Sequence, residues 1–419
     1  MVDAVFWNPP GVKCRRPSWI STDKTPPMTK TNISPDRVIA YFQPIVSADT
    51  NAVYAYEVLG RLIDDDGDVT SLGCFFSDRN VSPEEALSVD RLVRRYALKK
   101  YSEENISEFL FININFSWLP WEADRPEETP TVKWTKEFGI APEKIVIEIS
   151  EEEFNSGIAC LRLLTEYKKA GFRIALDDYG KNASDIGRLA ALRPDIIKID
   201  LSYIHNSETS YHYREYLRAI ASFAEAVGIE VLYEGVETRR QLDICLETKG
   251  RYYQGYLIGQ PQPSMRGQVL NCSVFADSAS KAHAALQAKI AGMDNCRKSF
   301  DERLESFLAA NPFDGRAQDL NEYLTRLCRE LPDVRRAYLC DRQGVQLTHN
   351  IERLGGELIR RDYQNKNWSW RGYFSKALET LTLGGRSCIS NGYRDVTTKE
   401  PVMTYFYALR DDRLLFFDL

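Results

Sequence analysis

The sequence predicts an α/β protein: a modified (β/α)8 TIM-type barrel with one antiparallel strand, followed by a smaller α+β domain at the C-terminus. Short apolar runs rich in β-branched residues recur along the chain, as in strands that are buried on both faces. Most intervals between them have room for a helix and two loops, which is the alternation of a parallel barrel. Only Ser47–Ala52 separates the first two runs, which is too short for a helical crossover, so this pair is predicted to be antiparallel.

Eight strands are predicted for the barrel, with helices between most of them. In chain order the predicted strands are Val38–Val46, Val53–Arg61, Leu110–Asn115, Ile145–Ser150, Phe172–Leu176, Ile196–Asp200, Glu230–Tyr233 and Tyr252–Ile258. The predicted helices are Ser82–Tyr101, Ile158–Ala170, Ser184–Leu192, Tyr211–Val227 and Thr238–Lys249. The first helix has a defined start, because Ser82-Pro83-Glu84-Glu85 has the pattern of a capping box with proline at the first helical position. A loop is expected at Trp121–Thr131, where proline and acidic residues cluster.

The composition of the chain divides it into four parts. Residues 1–35 hold several prolines and scattered basic residues and are expected to form a flexible arm. Residues 36–268 form the barrel, residues 269–312 a linker helix, and residues 313–419 a second domain. The linker carries an apolar stripe at three-four spacing, made of Leu286, Ile290, Met293, Phe300, Leu304 and Phe307. We favour a helix lying on the barrel over a short coiled-coil contact between two copies.

The second domain mixes helices and strands. Helices are predicted at Leu320–Glu330 and Arg371–Leu378. The predicted strands are Ala337–Cys340, Val345–His349, Ser387–Tyr393, Val402–Arg410 and Leu414–Leu419. Turn-forming residues between these strands favour hairpins.

Composition excludes several classes of function. The chain has 54 basic and 60 acidic residues and a net charge of −6, so no dominant basic field favours nucleic-acid binding. Its apolar runs are too short for a membrane span, and none is predicted. The nine cysteines include no Cys-x-x-Cys pair, which favours reduced thiols and a cytoplasmic protein.

Polar residues are predicted to gather at one rim of the barrel, because the carboxyl ends of parallel strands meet there. These residues are Glu57, Asn115, Glu148, Asp177, Asp178, Lys198, Glu234 and Gln254. The ligand candidates are oxygen donors, which suit Mg²⁺, Mn²⁺ or Ca²⁺ better than zinc. The adjacent Asp177 and Asp178 could serve two ions, as in enzymes of phosphoryl transfer, with Lys198 orienting water or neutralising phosphate. On this evidence alone, an enolase-type barrel remains open.

A series of short motifs carries a more specific resemblance. In order, they are Gln43-Pro-Ile, Glu57-Val-Leu-Gly-Arg61, Asn115-Phe-Ser117, Glu148-Ile-Ser-Glu151, Asp177-Asp-Tyr-Gly180, Lys198-Ile-Asp200, Glu234-Gly-Val-Glu237 and Gln254-Gly-Tyr256. Residues 38–265 thereby resemble the EAL-domain family, phosphodiesterases that linearise cyclic di-GMP. The family's barrel also has one antiparallel strand. The chain has no diguanylate cyclase motif, so no synthesis is expected.

The resemblance implies a role for each matched residue. The first metal would be held by Glu57, Asn115, Glu148 and Asp177. The second metal would be held by Asp178, with Lys198 on the nucleophilic water or the phosphate and Glu234 as general base or as a partner of that water. The dinucleotide would be contacted by Gln43 and Arg61, with Gln254 positioning the site, and the loop after Asp178 would be braced by Glu151 and Glu237. The family also implies Mg²⁺ or Mn²⁺ as cofactor, inhibition by Ca²⁺, and a homodimer.

The chain departs from the family pattern in two places. Val58 stands where the family signature has an alanine, and this change should leave Glu57 free to bind a metal ion. In the loop after Asp178, Asn182 replaces a glycine, Ala183 an aromatic residue, and Asp185 adds a carboxylate. The complete ligand set favours a phosphodiesterase, and the altered loop favours the alternative of a cyclic di-GMP receptor without turnover.

The second domain resembles the Cache/PAS-like sensor fold. The segments Asp341-Arg-Gln-Gly344, Arg371-Gly-Tyr-Phe374 and Tyr393-Arg-Asp395 carry this resemblance. It implies a small-ligand pocket with Arg371, Tyr373, Tyr393 and Asp395 as candidates. A packing or dimerisation module without a ligand is at least as well supported.

Overall fold

The computed structural model describes residues 33–78, 80–115, 129–151, 158–180, 189, 193–268, 270–314, 319–395, 398–410 and 412–419. The chain divides into two compact units, Met1–Ala279 and Ser280–Leu419. The predicted arm at 1–35 and the predicted helix at Ser184–Leu192 lie almost entirely outside the described residues. No helix among the described residues is long and apolar enough to cross a membrane.

The first unit is a closed barrel of eight strands with a short ninth strand at its edge. The strands are β1 (Val38–Ser47), β2 (Ala52–Ile63), β3 (Val69–Ser71), β4 (Phe109–Asn113), β5 (Ile145–Ser150), β6 (Arg173–Asp177), β7 (Ile196–Ile199), β8 (Glu230–Tyr233) and β9 (Tyr252–Gln254). They follow the order β1-β9-β8-β7-β6-β5-β4-β2-β3, and the pairing of β1 with β2 closes the barrel. Strand β1 runs antiparallel to both β2 and β9, which confirms the predicted barrel with one antiparallel strand.

Helices cover the outside of the barrel. They are α1 (Gly73–Ser77), α2 (Pro83–Glu103), α3 (Pro130–Glu137), α4 (Ile158–Lys169), α5 (Leu201–Ser207), α6 (Tyr211–Val227) and α7 (Arg239–Glu247). Helix α2 begins as predicted, because the side chain of Ser82 accepts a hydrogen bond from the backbone N–H of Glu85. The loop prediction at Trp121–Thr131 is wrong at its end, where Thr129 caps α3. Helix α5 was not predicted; Asp200, expected to end a strand, instead caps this helix by accepting from Ser202 N at 2.8 Å.

The inside of the barrel is filled by one apolar residue from each of the eight strands. This layer consists of Ile45, Ala55, Phe111, Val146, Ala175, Ile196, Leu232 and Tyr252. Because side chains alternate along a strand, the residue two positions nearer the rim points to the same side. Strand β9 ends at Gln254, earlier than predicted, since Gly255 has a φ of +154° and a Cβ there would meet the backbone of Val236 at 2.2 Å.

The second unit is built on an antiparallel sheet. Its strands are β10 (Arg336–Cys340), β11 (Asn350–Leu354), β12 (Glu357–Arg361), β13 (Ser387–Ile389), β14 (Tyr393–Arg394), β15 (Pro401–Val402), β16 (Thr404–Ala408) and β17 (Leu414–Asp418). The main sheet has the order β12-β11-β10-β17-β16-β13, and β14 pairs with β15 separately. The strand predicted at Val345–His349 is wrong; only isolated bridges occur there, and the chain forms the β11–β12 hairpin instead.

Within the described residues, the remaining helices are α8 (Cys272–Ala310), which begins in the first unit, α9 (Leu320–Glu330) and α10 (Gly372–Thr382). The predicted packing of the apolar stripe of α8 is wrong for the part of the stripe that is buried. Its last three members, Phe300, Leu304 and Phe307, are buried in the core of the second unit, whereas Leu286 and Ile290 are exposed. That core lies on one face of the sheet, and α10 contributes Phe374 and Ala377 to a second apolar cluster built on the sheet.

Candidate active site

The candidate site is the layer of side chains that lies two positions nearer the rim than the apolar layer of the barrel. Each of the eight strands contributes one residue to it: Gln43, Glu57, Asn113, Glu148, Asp177, Lys198, Glu234 and Gln254. Of these, Glu234 directly follows β8. The strand pairing, rather than any loop, therefore determines where these groups stand. Seven of them were predicted from the sequence, and Asn113 was not.

Four carboxylates share the ammonium group of Lys198. Its Nζ lies 2.5 Å from Glu148 Oε1 and 2.5 Å from Glu234 Oε1. It also lies 3.4 Å from Asp177 Oδ1 and 3.5 Å from Glu57 Oε1. One positive charge cannot balance four negative charges, and buried charge without a partner is unfavourable. The layer is therefore short of positive charge.

The protonation equilibria of the site reflect this imbalance. Burial raises the pKa of Glu148 well above its usual value; Lys198 opposes the shift and Glu57 adds to it. Burial and the charge of Asp177 likewise raise the pKa of Glu234. Burial acts to lower the pKa of Lys198, but the surrounding carboxylates outweigh it and raise that pKa. The lysine is therefore held in its charged form.

The amide of Gln254 links two other members of the layer. Its Nε2 donates to Glu57 Oε2 at 2.5 Å and to Gln43 Oε1 at 3.1 Å. Its own Oε1 is buried and has no hydrogen-bond partner within the described residues. Gln43 in turn donates to the carbonyl oxygen of Gly259 at 3.3 Å. Gln254 of β9, which is itself hydrogen-bonded to Gln43 of β1, thus holds the carboxylate of Glu57 in place.

Asn113 is the site residue that the sequence reasoning missed. Its Nδ2 donates to Glu148 Oε2 at 2.9 Å and lies 3.5 Å from Glu57 Oε1, so it bridges two carboxylates. Asn115, the predicted ligand, follows the end of β4 and is half-buried. Asn113 and Asn115 follow Phe111 at alternate positions, so side-chain alternation would place both on the face that points into the barrel. That alternation is the signal that could have identified Asn113.

The donor set fits divalent cations. Carboxylate and amide oxygens are the ligands that Mg²⁺, Mn²⁺ and Ca²⁺ prefer, and the unbalanced negative charge and the unpartnered Gln254 oxygen favour a cation. Within the described residues, no group of three or more His, Cys, Asp and Glu side chains already stands in a metal-holding arrangement. The carboxylates gather instead on the Lys198 ammonium, which marks the place where positive charge is favourable.

The segment after Asp177 turns sharply away from the barrel. Asp178 has a φ of +57°, and its N–H donates to Asp177 Oδ1 at 2.8 Å. The carboxylate of Glu151 accepts from the N–H of Gly180 at 3.1 Å, so this predicted brace lies beside the loop. The predicted brace Glu237 is exposed; its backbone N–H donates to Gln241 at the start of α7. Asn182, Ala183 and Asp185 lie outside the described residues.

A cavity of about 320 Å³ opens beside the site. It is lined by Gln43, Glu57, Glu234, Gly235, Glu237, Gln254, Gly255 and Tyr256. Arg61, the other predicted substrate contact, is not among these lining residues; its guanidinium lies over the ring of Tyr41 at 5.3 Å. The cavity leads directly to two of the carboxylates on Lys198.

The four residues predicted to form a sensor pocket fall into two groups. The guanidinium of Arg371 lies 5.5 Å from the ring of Tyr373 and 5.2 Å from that of Tyr393, and the two rings stack at 5.9 Å. Asp395 instead accepts from Arg336 at 2.9 Å. It also accepts from the N–H of Thr398, in the hairpin between β14 and β15. Its carboxylate is therefore engaged by the fold.

Comparison with known proteins matches both units. A family model described as the EAL domain matches residues 28–261. One described as an EAL-domain associated signalling protein domain matches residues 281–419. A protein named "Uncharacterized EAL-domain containing protein YkuI" from Bacillus subtilis (strain 168) is 32% identical over 395 residues, which is 93% of this chain and 95% of that protein.

A solved structure resembles the whole chain. The crystal structure of the Bacillus subtilis YkuI protein, with an EAL domain, in complex with substrate c-di-GMP and calcium, has a TM-score of 0.84 at 30% identity. The match covers 92% of this chain and 97% of that one. A protein of Escherichia coli named "Probable cyclic di-GMP phosphodiesterase PdeA" is 35% identical over 133 residues, 32% of this chain and 18% of that protein. The similarity to PdeA thus extends over a minor part of its length.

Proposed function

Because the chain belongs to the EAL-domain family, we propose that it is a metal-dependent phosphodiesterase that hydrolyses cyclic di-GMP to linear pGpG. The observation that carries this proposal is the rim layer, in which four carboxylates share a single ammonium group. The complex of the similar YkuI protein with c-di-GMP and calcium supports the choice of substrate and of a divalent ion.

Two divalent ions fit the number of carboxylates. Glu57, Asn115, Glu148 and Asp177 would hold the first, and Asp178 the second. When bound, such ions acidify a water molecule and stabilise charge on the oxygens around phosphorus. Mg²⁺ or Mn²⁺ would support turnover, and Ca²⁺ would inhibit it, because Ca²⁺ takes more ligands in a looser geometry.

The residues of the chain supply the remaining parts of the reaction. Glu234, whose pKa is raised, accepts a proton from the attacking water. The water oxygen forms a bond to phosphorus while the bond from phosphorus to a ribose O3′ breaks. The O3′ oxygen leaves with the bonding electron pair and takes up a proton, which gives a 3′-hydroxyl and a 5′-phosphate. Lys198 remains charged and neutralises the phosphate oxygens. Gln43, Arg61 and Gln254 contact or orient the dinucleotide.

A second candidate function is supported by the loop after Asp178. Its sequence carries Asn182, Ala183 and Asp185 in place of the residues usual in the family. A chain that holds cyclic di-GMP without turning it over would act as a receptor. The intact ligand set makes the phosphodiesterase the better supported of the two.

The two functions are separated by incubating the protein with cyclic di-GMP and Mn²⁺ and following the products by chromatography. Accumulation of pGpG in the wild type, but not in Glu148→Gln, supports catalysis. Tight binding of cyclic di-GMP by the wild type without pGpG would overturn it and favour the receptor. Replacing Mn²⁺ by Ca²⁺ should preserve binding and stop turnover.

We also propose that the second unit, in a homodimer, regulates the barrel as a sensor. The group formed by Arg371, Tyr373 and Tyr393 is the candidate place for a small ligand, since no salt bridge to Arg371 is found among the described residues. Its test is a thermal-shift screen of small anions with the wild type and Arg371→Ala. Anions that stabilise only the wild type support the site; stabilisation of both variants alike contradicts it.

A further inference from the structure

The short segment Asp178–Gly180 connects the candidate second-ion ligand to the rest of the fold. Among the described residues, hydrogen bonds to three other parts of the fold hold it. Tyr179 N–H donates to the carbonyl oxygen of Lys198 on β7 at 3.0 Å. Gly180 N–H donates to Glu151 Oε2, and Gly180 accepts through its carbonyl oxygen from the hydroxyl of Tyr203 on α5. The backbone beside Asp178 is thus held by groups from both earlier and later parts of the chain.

The backbone of Gly180 lies close to two tyrosine side chains, those of Tyr203 and Tyr216. Gly180 has a φ of +99°, and a Cβ there would meet Tyr216 Oη at 2.8 Å and Tyr203 Cζ at 3.2 Å. A side chain at this position would therefore both strain the backbone and push the rings away. The tyrosines lie directly against the backbone of the segment.

Tyr203 is itself held in place by helix α6. Its ring stacks on that of Tyr216, with centroids 5.2 Å apart and an angle of 22° between the planes. The ring of Tyr213 lies 5.8 Å from Tyr203 but is tilted by 57°, and its side chain is exposed. Burial raises the pKa of Tyr203, so its hydroxyl keeps its proton and can donate at neutral pH.

We propose that Tyr203 is a positioning residue, whose hydroxyl fixes the Gly180 carbonyl and thereby holds Asp178 where it can bind the second divalent ion. The inference rests on the proposed two-ion site and deepens it. The hydroxyl contacts the backbone of Gly180 and acts on Asp178 through two residues of backbone. Removing it should affect the ion held by Asp178 and leave the ion held by Glu57 and Glu148 unchanged.

The test is the binding of Mn²⁺ to the metal-free full chain, followed by calorimetry and by electron paramagnetic resonance of free Mn²⁺. The variants are Tyr203→Phe, which keeps the stacked ring and loses the hydroxyl, and Tyr213→Phe as the matched control. The site with Asp178 has fewer protein ligands in the proposed arrangement and should therefore be the weaker Mn²⁺ site. In Tyr203→Phe we expect this weaker site to lose about 10-fold in affinity, as is typical for outer-shell partners of metal ligands. The stronger site and the metal-free melting temperature should remain unchanged, and Tyr213→Phe should match the wild type throughout.

The binding readout separates this inference from the proposed function. A wild type that binds two ions but forms no pGpG contradicts the phosphodiesterase and leaves the role of Tyr203 to be decided by the Mn²⁺ affinities. Tyr203→Phe with two wild-type affinities overturns the inference. So does an equal weakening of both sites, which is the result of a purely structural role, and so does a wild type that binds a single ion.

Discussion

The two ends of the barrel both carry clusters of charged side chains, but only one end is electrically balanced. At the end where the parallel strands begin, Arg173 pairs with Glu230 at 2.6 Å. Arg251 pairs with Glu230 and, at 2.6 Å, with Asp49, so two arginines meet two acids. The hydroxyl of Tyr54 accepts from Arg173, and its ring stacks between aromatic neighbours at 4.1 and 4.7 Å.

The rim end is different because one lysine faces four carboxylates. The balanced end closes the barrel with paired charges and stacked rings, as a structural element requires. The unbalanced end is stable only with additional positive charge or with bound protons. This difference distinguishes a functional cluster from a structural one more directly than the number of charged residues does.

The largest effect is expected from Lys198→Ala. Among the described residues, Lys198 is the only cation in contact with the rim carboxylates, so the change leaves these buried groups without a cationic partner. When divalent ions are absent, this loss costs about 3–5 kcal/mol of unfolding free energy. Mn²⁺ should restore much of the melting temperature. Turnover of cyclic di-GMP should nevertheless stay about 100- to 1,000-fold below that of the wild type, because the phosphate loses its ammonium partner.

The matched variant at the balanced end is Arg173→Ala. It should also lower the melting temperature, since it breaks a half-buried pair with Glu230. Mn²⁺ should give it no recovery beyond that of the wild type. Equal recovery of both variants in Mn²⁺, or recovery of neither, would contradict the assignment of the rim as the cation site.

A smaller effect is expected from the two asparagines. If Asn115 is an ion ligand and Asn113 orients Glu148 and Glu57, Asn115→Ala should weaken Mn²⁺ binding more than Asn113→Ala does. The expected loss for Asn113→Ala is about 10-fold, as for an outer-shell partner. Calorimetric titration of the metal-free protein measures both. The reverse order would assign the direct contact to Asn113.

The pH dependence of stability should also differ between the two ends. Burial, then the charges of neighbouring carboxylates, raise the pKa of Glu234 above its ordinary value of 4.5. A carboxyl with a raised pKa in the folded state contributes stability that is complete below the unfolded pKa and is lost as pH rises through the folded pKa. In EDTA, the melting temperature should therefore fall as pH rises above about 5, beyond the ordinary carboxyl pKa.

Glu234→Gln should reduce this slope, and saturating Mn²⁺ should remove it by favouring the charged carboxylates. Glu230→Gln at the balanced end is the control and should leave the slope as in the wild type. Thermal melting at several pH values, with EDTA and with Mn²⁺, measures all three. A wild-type slope in Glu234→Gln would contradict the role given to this carboxyl.

The smallest effect is expected from Arg251→Gln. The arginine and its partner Asp49 are about half exposed, at 47% and 50%, and exposed pairs contribute only about 0.2–1 kcal/mol. Hydrolysis of cyclic di-GMP and Mn²⁺ affinity should be those of the wild type. A loss of either would indicate that the two ends of the barrel are coupled.

The sequence was sufficient to predict the barrel and most of the rim layer, because polar residues stand at the carboxyl ends of short buried strands, and these ends meet at one rim of a parallel barrel. It did not determine whether Asn113, the last residue of β4, or Asn115, just beyond the strand, stands in the layer. The two residues have the same alternation, and the choice depends on the pairing of Asn113 with Glu148 across β4 and β5. Such a register is a property of two strands together and is not written in either one.

The second unit also contains features that the sequence alone did not predict, namely a hairpin and the packing of a helix. The β11–β12 hairpin turns at Gly355-Gly356, both with positive φ, a dipeptide that favours a two-residue turn. Its strands were missed because Glu352, Arg353 and Arg360 interrupt the apolar pattern. Helix α8 was predicted from its periodicity, but periodicity does not say which surface covers the apolar stripe.

The central claim is that the rim carboxylates bind divalent cations together, and the anomalous scattering of Mn²⁺ in crystals of this protein tests it most directly. The account predicts two Mn²⁺ peaks at the rim, one in contact with Glu57 and Glu148 and one beside Asp178, with Lys198 turned towards the substrate side. Crystals soaked in Mn²⁺ that show no peak at the rim, with the four carboxylates still gathered on Lys198, would contradict it.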